Sequence, residues 1–373
     1  MELSQDELDL YARHIILPEV GLEGQKRLKA ARALLVGAGA LGSPLGLYLA
    51  AAGVGTLGLA DFDVVERSNL QRQVIHSVKS LGRPKVESAR ERMLEINPHV
   101  RVESFNLRVS SANALRLFQD FDIIVDGTDN FPARYLVNDA CVLSGKPEVF
   151  GAVMGFTGQA AVFDARKGCC LRCLFPDPPD PGLTPSCGEY GVFGVLPGII
   201  GCIQANEVLK LIVGGGKPLI NRLLSFDALA MRFHEFKAEK NPACPVCGER
   251  PVITSLADYD YFCDKRKTKD APPASISPGE LKRRLERGER MQIIDVRLPH
   301  ELVAGCLPEA VSLPARELLR RMDELDPGQI VILVCKTGAY SAAAIAALRA
   351  AGYNGPLFNL AGGMNAWAPG LSP

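Results

Sequence analysis

The chain has 373 residues, 47% hydrophobic and 23% charged, a composition that suits a soluble globular protein and a length too great for one core. Lys+Arg and Asp+Glu both number 42, so no net field favours nucleic acid or an anionic membrane. The opening MELSQDELDLYARH is acidic and polar, unlike a signal or transit peptide, and a cytoplasmic location is expected.

Taken in chain order, Ser4 with Glu7 three residues later predicts a capping box and a short helix carrying Tyr11, Arg13 and His14. A second helix is expected over 22–30. Residues 33–36 are an apolar run that ends in Gly37, Gly39 and Gly42, spaced G-x-G-x-x-G, after which Ser43 and Pro44 open an apolar helix. Such glycines let the backbone turn tightly and approach a phosphate, while the helix start offers unpaired N–H groups. Asp61 stands 24 positions after Gly37, the spacing of a carboxylate that accepts from a ribose hydroxyl. This predicts a nucleotide site, and the glycines alone leave NAD and ATP open. The uncharged run 33–60 is long enough for a membrane span, but its glycines and Pro44 divide it into strand, turn and helix.

A polar loop, VVERSNLQRQ, follows at 64–73, then a charged helix over 85–96 stopped by Asn97 and Pro98. Strands are expected at 100–105, 121–125, 148–153 and 159–163, with helices at 115–119 and 132–143 between them. This alternation predicts an α/β fold, a doubly wound, mostly parallel sheet. Prolines at 176, 178, 179, 181 and 185 make 168–194 a long irregular loop. A helix over 197–212 and a polar strand region lead to Cys244. Residues 264–275, DKRKTKDAPPAS, read as a linker. Beyond it, 276–373 form a second, small α/β domain, with strands at 292–296, 311–313, 330–334 and 357–359 and helices at 278–287, 315–325 and 341–351. The first domain thus covers 1–263.

Eleven cysteines without a secretion signal are expected to be ligands, nucleophiles or core fillers rather than disulfides. Cys170 and Cys173, and Cys244 and Cys247, are two C-x-x-C knuckles, the spacing at which soft thiolates each supply half of a tetrahedral zinc site. Four thiolates leave no open position, so structural Zn²⁺ is expected, tying the irregular loop to the end of the first domain. Cys169 is a rival ligand that the spacing disfavours, and Cys141 and Cys202 are expected in the core.

The choice of nucleotide rests on residues outside the glycines. Asn69, Arg72, Gln73, Lys85, Asp129 and Asn130 fall at strand ends and turns. Arginine and lysine suit polyphosphate, and an Asp after a buried strand suits Mg²⁺ held against phosphate oxygens. Taken singly, each is also an ordinary surface charge. Together they favour ATP over NAD.

The run Gly37 to Gly42, LADFD at 59–63, NLQRQ at 69–73, GRPKVESA at 82–89, GTDN at 127–130 and the paired knuckles together resemble the MoeB/ThiF family across residues 4–263. The resemblance implies a ubiquitin-activating-type enzyme with a Rossmann-like fold that adenylates the C-terminal glycine of a small ubiquitin-like sulfur-carrier protein. Carried over, Asp61 would hold the ribose, Asn69, Arg72 and Lys85 the phosphates, and Asp129 the Mg²⁺. Arg13 would reach the ATP of the partner subunit in a homodimer. Cys187, in SCGEYGV, lies where the family can carry a reactive cysteine, against the alternative of a spectator thiol.

Cys335 ends the apolar run IVILV and starts the loop KTGAY, so that N–H groups of the loop and the following helix start favour a thiolate or persulfide. With IIDVRLPHEL, AVSLP and LAGGMNAW around it, 276–373 resembles a rhodanese domain. Tyr340 stands where an arginine is common and Cys306 where a histidine is usual, so a persulfide relay from a cysteine desulfurase rivals thiosulfate as sulfur source. The sequence therefore predicts carrier adenylation with ATP and Mg²⁺, then sulfur transfer from Cys335. An NAD-dependent oxidoreductase and a non-catalytic scaffold for a ubiquitin-like protein are the alternatives. The pathway (molybdopterin, thiamin, cysteine, tRNA thiolation or a specialised metabolite) is open.

Overall fold

The computed structural model describes residues 2–178, 191–257, 274–297, 301–302, 305–307 and 309–367, which fall in two compact units, one before and one after the expected linker. Cys187, Cys263 and most of 264–275 lie outside the described residues.

The first unit is built on an eight-stranded sheet of order β3-β2-β1-β4-β5-β6-β7-β8. Its strands are β1 (Arg32–Val36), β2 (Thr56–Ala60), β3 (Arg101–Phe105), β4 (Ile123–Asp126), β5 (Glu148–Met154), β6 (Thr157–Phe163), β7 (Arg222–Asp227) and β8 (Arg232–Lys237). The first five run parallel, and β6 to β8 continue the sheet as antiparallel hairpins. β1 sits between β2 and β4, and residues Ala33 to Val36 are buried on both faces, which is why it reads as a continuous apolar run. Chain order reverses between β1 and β4, and ligands of open α/β sheets bind beyond the strand ends at that switch point.

Two helices fix the layer behind the glycine loop. Helix Gly42–Ala51 has no polar stripe because it lies between the sheet and helix Leu196–Val213. The latter is apolar and long enough to cross a membrane, but its Leu196, Ile200, Ala205 and Val208 belong to the core of this unit. Leu35, Leu45, Leu49, Leu57 and Leu59 pack in the same cluster, where truncating one leucine to alanine costs ~2–5 kcal/mol. At the N-terminus the capping box is formed: Glu7 N–H donates to Ser4 Oγ at 3.2 Å and Ser4 N–H to Glu7 Oε2 at 2.7 Å.

The second unit is an all-parallel sheet of order β11-β10-β12-β13-β9. Its strands are β9 (Ser275–Ile276), β10 (Met291–Asp295), β11 (Val311–Ser312), β12 (Ile330–Val334) and β13 (Leu357–Leu360). β9 begins one residue inside the segment read as linker, since two residues carry no periodicity, and its Ser275 pairs with Asn359. The helix expected over 315–325 is a short α-turn, Ala315–Leu318, followed by a 3₁₀ turn, Met322–Glu324, whose period is too close to 3.6 to separate in so few residues.

Candidate functional site

Three segments meet beyond the ends of β1, β2 and β4. Gly37 adopts φ +100°, and a Cβ there would lie 2.7 Å from Gly127 O. A Cβ on Gly42 would strike Gly37 O, so the loop closes only with glycine at both places. Pairing at the strand ends sets the register: Gly37 N–H donates to Ala60 O at 2.8 Å and Gly127 N–H to Val36 O at 2.9 Å.

Asp61 accepts from Ala38 N–H at 2.8 Å and from Asp63 N–H at 2.9 Å, so its carboxylate is moored to the loop it faces. His76 holds the same residue from the other side. Its Nε2 lies 3.0 Å from Ala38 O and its Nδ1 3.0 Å from Ser88 Oγ. Burial lowers the imidazole pKa, with Lys85 adding to the shift and the Ala38 bond opposing it. A neutral ring donating from Nε2 and accepting at Nδ1 satisfies both bonds. Sequence spacing gave no sign of this role, because the bond spans 38 residues.

Lys85 opens helix Lys85–Ile96, is buried, and donates from Nζ to Asp63 Oδ2 at 2.8 Å. Arg72 donates from Nη1 to Ser68 O at 3.0 Å. Asn69 is buried in a 3₁₀ turn, its Oδ1 accepting from Glu66 N–H. Gln73 is 5% exposed, its Nε2 beside Gly39 and its Oε1 without a partner. Asn130 caps helix Phe131–Ser144 by accepting from Ala133 N–H at 3.0 Å. Asp129 is exposed, and its Oδ1 accepts from Asn130 Nδ2 at 3.4 Å. Gly37, Gly39, Gly42, Asp61, Asn69, Arg72, Lys85, Asp129 and Asn130 thus occur on the segments that converge at the switch point.

Beneath that loop lies a buried cluster without a sequence signature. Asp126 Oδ1 accepts from Thr128 N–H at 2.8 Å, and Arg134 Nη2 donates to Thr128 O at 3.3 Å. These two side chains grip the peptide before Asp129. Glu148, on β5, is fully buried with neither oxygen hydrogen-bonded. Burial pushes its pKa well above the carboxylate range, and the charge of Asp126 adds to the shift.

The Sγ atoms of Cys170, Cys173, Cys244 and Cys247 lie within 4.8 Å of one another, at 3.9 Å for Cys170–Cys173, 3.6 Å for Cys170–Cys244 and 3.4 Å for Cys173–Cys247. A tetrahedron with ~2.3 Å zinc–sulfur bonds has edges of ~3.8 Å, so the four sulfurs fit one ion. Cys169 instead packs with Phe150 and Leu171 in the neighbouring core. Arg13 is exposed on helix Ala12–Ile15, away from any described ion pair.

In the second unit Cys335 directly follows β12, and its Sγ is met by Gly338 N–H at 3.1 Å, Ser341 N–H at 3.4 Å and Ser341 Oγ at 3.2 Å. Gly362 and Gly363 take φ +74° and +58°, which brings Met364 N–H to Cys335 O at 2.9 Å and Asn365 N–H to Lys336 O at 3.0 Å. The GG of LAGGMNAW thereby braces the cysteine loop from below. Lys336 is exposed, and Cys306 is exposed.

The ThiF family model matches residues 11–246 and the rhodanese-like domain model residues 277–369. The chain is 45% identical over 381 residues to a Mycobacterium tuberculosis protein named probable adenylyltransferase/sulfurtransferase MoeZ, covering all of this chain and 95% of that one. It is 51% identical over 271 residues to the sulfur carrier protein adenylyltransferase of Thermus thermophilus, covering 71% of this chain and all of that one. Crystal structures of E. coli MccB (TM-score 0.55, 23% identity, 61% of this chain and 67% of that chain) and of PaaA (0.55, 24%, 64% and 76%) share the fold. The chain belongs to the ThiF family and carries a rhodanese-like domain after it, the pairing its full-length relative also spans.

Proposed function

We propose that the first unit adenylates the C-terminal glycine of a small ubiquitin-like sulfur-carrier protein and that Cys335 then delivers sulfur to it. The observation that carries this reading is one chain holding both a phosphate cradle at the switch point and a cysteine ringed by hydrogen-bond donors. ATP lies with its phosphates over the Gly37 to Gly42 loop, its ribose at Asp61, and Asn69, Arg72 and Lys85 on the phosphate oxygens. Mg²⁺ held by Asp129 supplies charge neutralisation at those oxygens. The carrier carboxylate attacks the α-phosphorus, a mixed carboxylic–phosphoric anhydride (the acyl-adenylate) forms, the bond from the α-phosphorus to the α–β bridging oxygen breaks and pyrophosphate leaves.

A persulfide on Cys335, loaded by a donor such as a cysteine desulfurase, attacks the acyl carbon and releases AMP. The product is an acyl disulfide between carrier and Cys335. A second thiolate attacks Sγ of Cys335, frees the carrier thiocarboxylate and leaves a disulfide that an external dithiol reduces. Cys187 is the proposed second thiol. The Cys170, Cys173, Cys244 and Cys247 site holds structural Zn²⁺.

A protein substrate also accounts for an apolar face beside the cradle. Phe156 and Phe193 are exposed and pack against each other at a tilt of 39° with centroids 5.4 Å apart, and Gly194 lies against Gln71, next to Arg72. Exposed Leu10, Ile16 and Leu17 flank Arg13, which favours a homodimer whose Arg13 completes the partner's site.

The test is ATP–pyrophosphate exchange with Gly-Gly-terminated carriers. Wild type exchanges only with carrier present, Asp129→Ala loses at least ~100-fold, and Cys335→Ala exchanges normally but forms no thiocarboxylate. Absence of exchange with every candidate carrier, or calorimetric binding of NAD in place of ATP–Mg, would sink the proposal.

A further inference from the structure

Ser341 is fully buried, and its single hydroxyl proton lies between two acceptors, Cys335 Sγ at 3.2 Å and Asn359 Oδ1 at 2.6 Å. It cannot serve both at once. With a neutral thiol, Sγ–H donates to Ser341 Oγ and Ser341 donates to Asn359 Oδ1. With an anionic sulfur, Ser341 must turn its proton to the sulfur, and Oγ then needs a donor on its far side. Asn359 supplies one if its amide rotates to present Nδ2. The rotation exchanges the Ser341–Asn359 Oδ1 bond for one donated by Nδ2, while the Asn359 backbone stays pinned by its N–H to Ala274 O at 2.8 Å.

We propose that Ser341 and Asn359 are positioning residues forming a reversible donor relay, which supplies the third hydrogen bond to Cys335 whenever its sulfur is anionic. Two of the three donors are backbone N–H groups that no substitution at 341 removes, so the relay is the part of the cradle a side chain controls. Asn359 sits on β13, and Cys335 directly follows β12, which pairs with β13, so the neighbouring strand sets the hydroxyl's direction. The relay rests on the reading of Cys335 as a nucleophile but requires neither a carrier nor a particular sulfur donor.

The test is the rate of iodoacetamide alkylation of Cys335 in the full chain at fixed neutral pH, read by peptide mass, with Cys335→Ala as the blank. Ser341→Ala is expected to slow it about tenfold to a hundredfold, the worth of one hydrogen bond to a charged group. Ser341→Thr, which keeps the hydroxyl, restores the rate to within about threefold. Asn359→Leu, neutral and similar in volume, slows alkylation several-fold when Ser341 is present and has no further effect in Ser341→Ala. Unchanged thermal melting of the second unit guards against misfolding. Alkylation of Ser341→Ala at the wild-type rate, or an equal effect of Asn359→Leu in both backgrounds, overturns the relay. Failure of the sulfur-transfer reading shows separately, as a Cys335 that alkylates normally but gains no sulfur from a persulfide donor.

Discussion

Glu148 shows what a single side chain costs when the fold gives it no partner. It pairs in register with Ile124 and shares the buried space under the GTDN turn with Asp126, whose own carboxyl is also pushed up by burial. Arg134 opposes both shifts, but one guanidinium cannot neutralise two carboxylates, so the fold favours the neutral form of Glu148. A carboxyl whose folded pKa lies above its unfolded value binds more protons in the native state across the window between them. Stability therefore falls as pH rises from ~4.3 towards the folded pKa. Glu148→Gln removes that titration while keeping shape. Urea unfolding is expected to show the variant gaining on wild type by up to ~1.4 kcal/mol per pH unit as pH rises above ~4.3, with a constant difference below it. Parallel pH profiles for the two proteins would show that Glu148 does not titrate in this window.

Among elements, the two cysteine knuckles tie the turn Leu171–Leu174 to a segment more than seventy residues on. The second knuckle is itself tightly wound, with Gly248 N–H donating to Cys244 O at 3.0 Å. Four thiols gathered without an ion would exchange only weak S–H···S bonds in a half-buried site. One zinc per chain is expected by metal analysis, and Cys244→Ser should lose it. If the ion contributes even ~3 kcal/mol, well under the range of zinc-finger peptides, melting falls by about 6–12 °C. A full-length chain that melts unchanged after chelation would contradict a structural role. These knuckles were legible because metal chemistry fixes ligand spacing locally, as the glycine loop and GTDN turn were legible because phosphate approach fixes backbone shape. The parts that escaped are bonds between distant segments: His76 to Ala38, Arg134 to Thr128 with Asp126 behind it, and Ser341 to Asn359. No periodicity marks such pairs, since each partner alone reads as an ordinary polar residue. The last two antiparallel strands, β7 and β8, were legible only as a polar strand region, because β8 is exposed along its whole length and alternates nothing.

At the scale of the whole molecule, the first unit supplies its cradle with every proposed ATP group except Arg13, which lies exposed among Leu10, Ile16 and Leu17. An arginine in that setting costs nothing to keep in water, so its value must come from what covers the surrounding leucines and isoleucine. If a second copy covers them in a two-fold dimer, each site takes Asp129 from one subunit and Arg13 from the other. Subunit mixing tests this directly. Arg13→Ala and Asp129→Ala should each be inactive alone in carrier-dependent pyrophosphate exchange. A heterodimer of the two has one site with both residues intact and one with neither. Random reassociation makes half of the dimers heterodimers, each with one working site of two, so the equimolar mixture should recover about a quarter of wild-type activity. Recovery must also require time for subunit exchange, and fade on dilution below the dimer dissociation constant. An Arg13→Ala protein that stays fully active, or a mixture that recovers nothing after complete exchange, would place every catalytic group of a site within one chain.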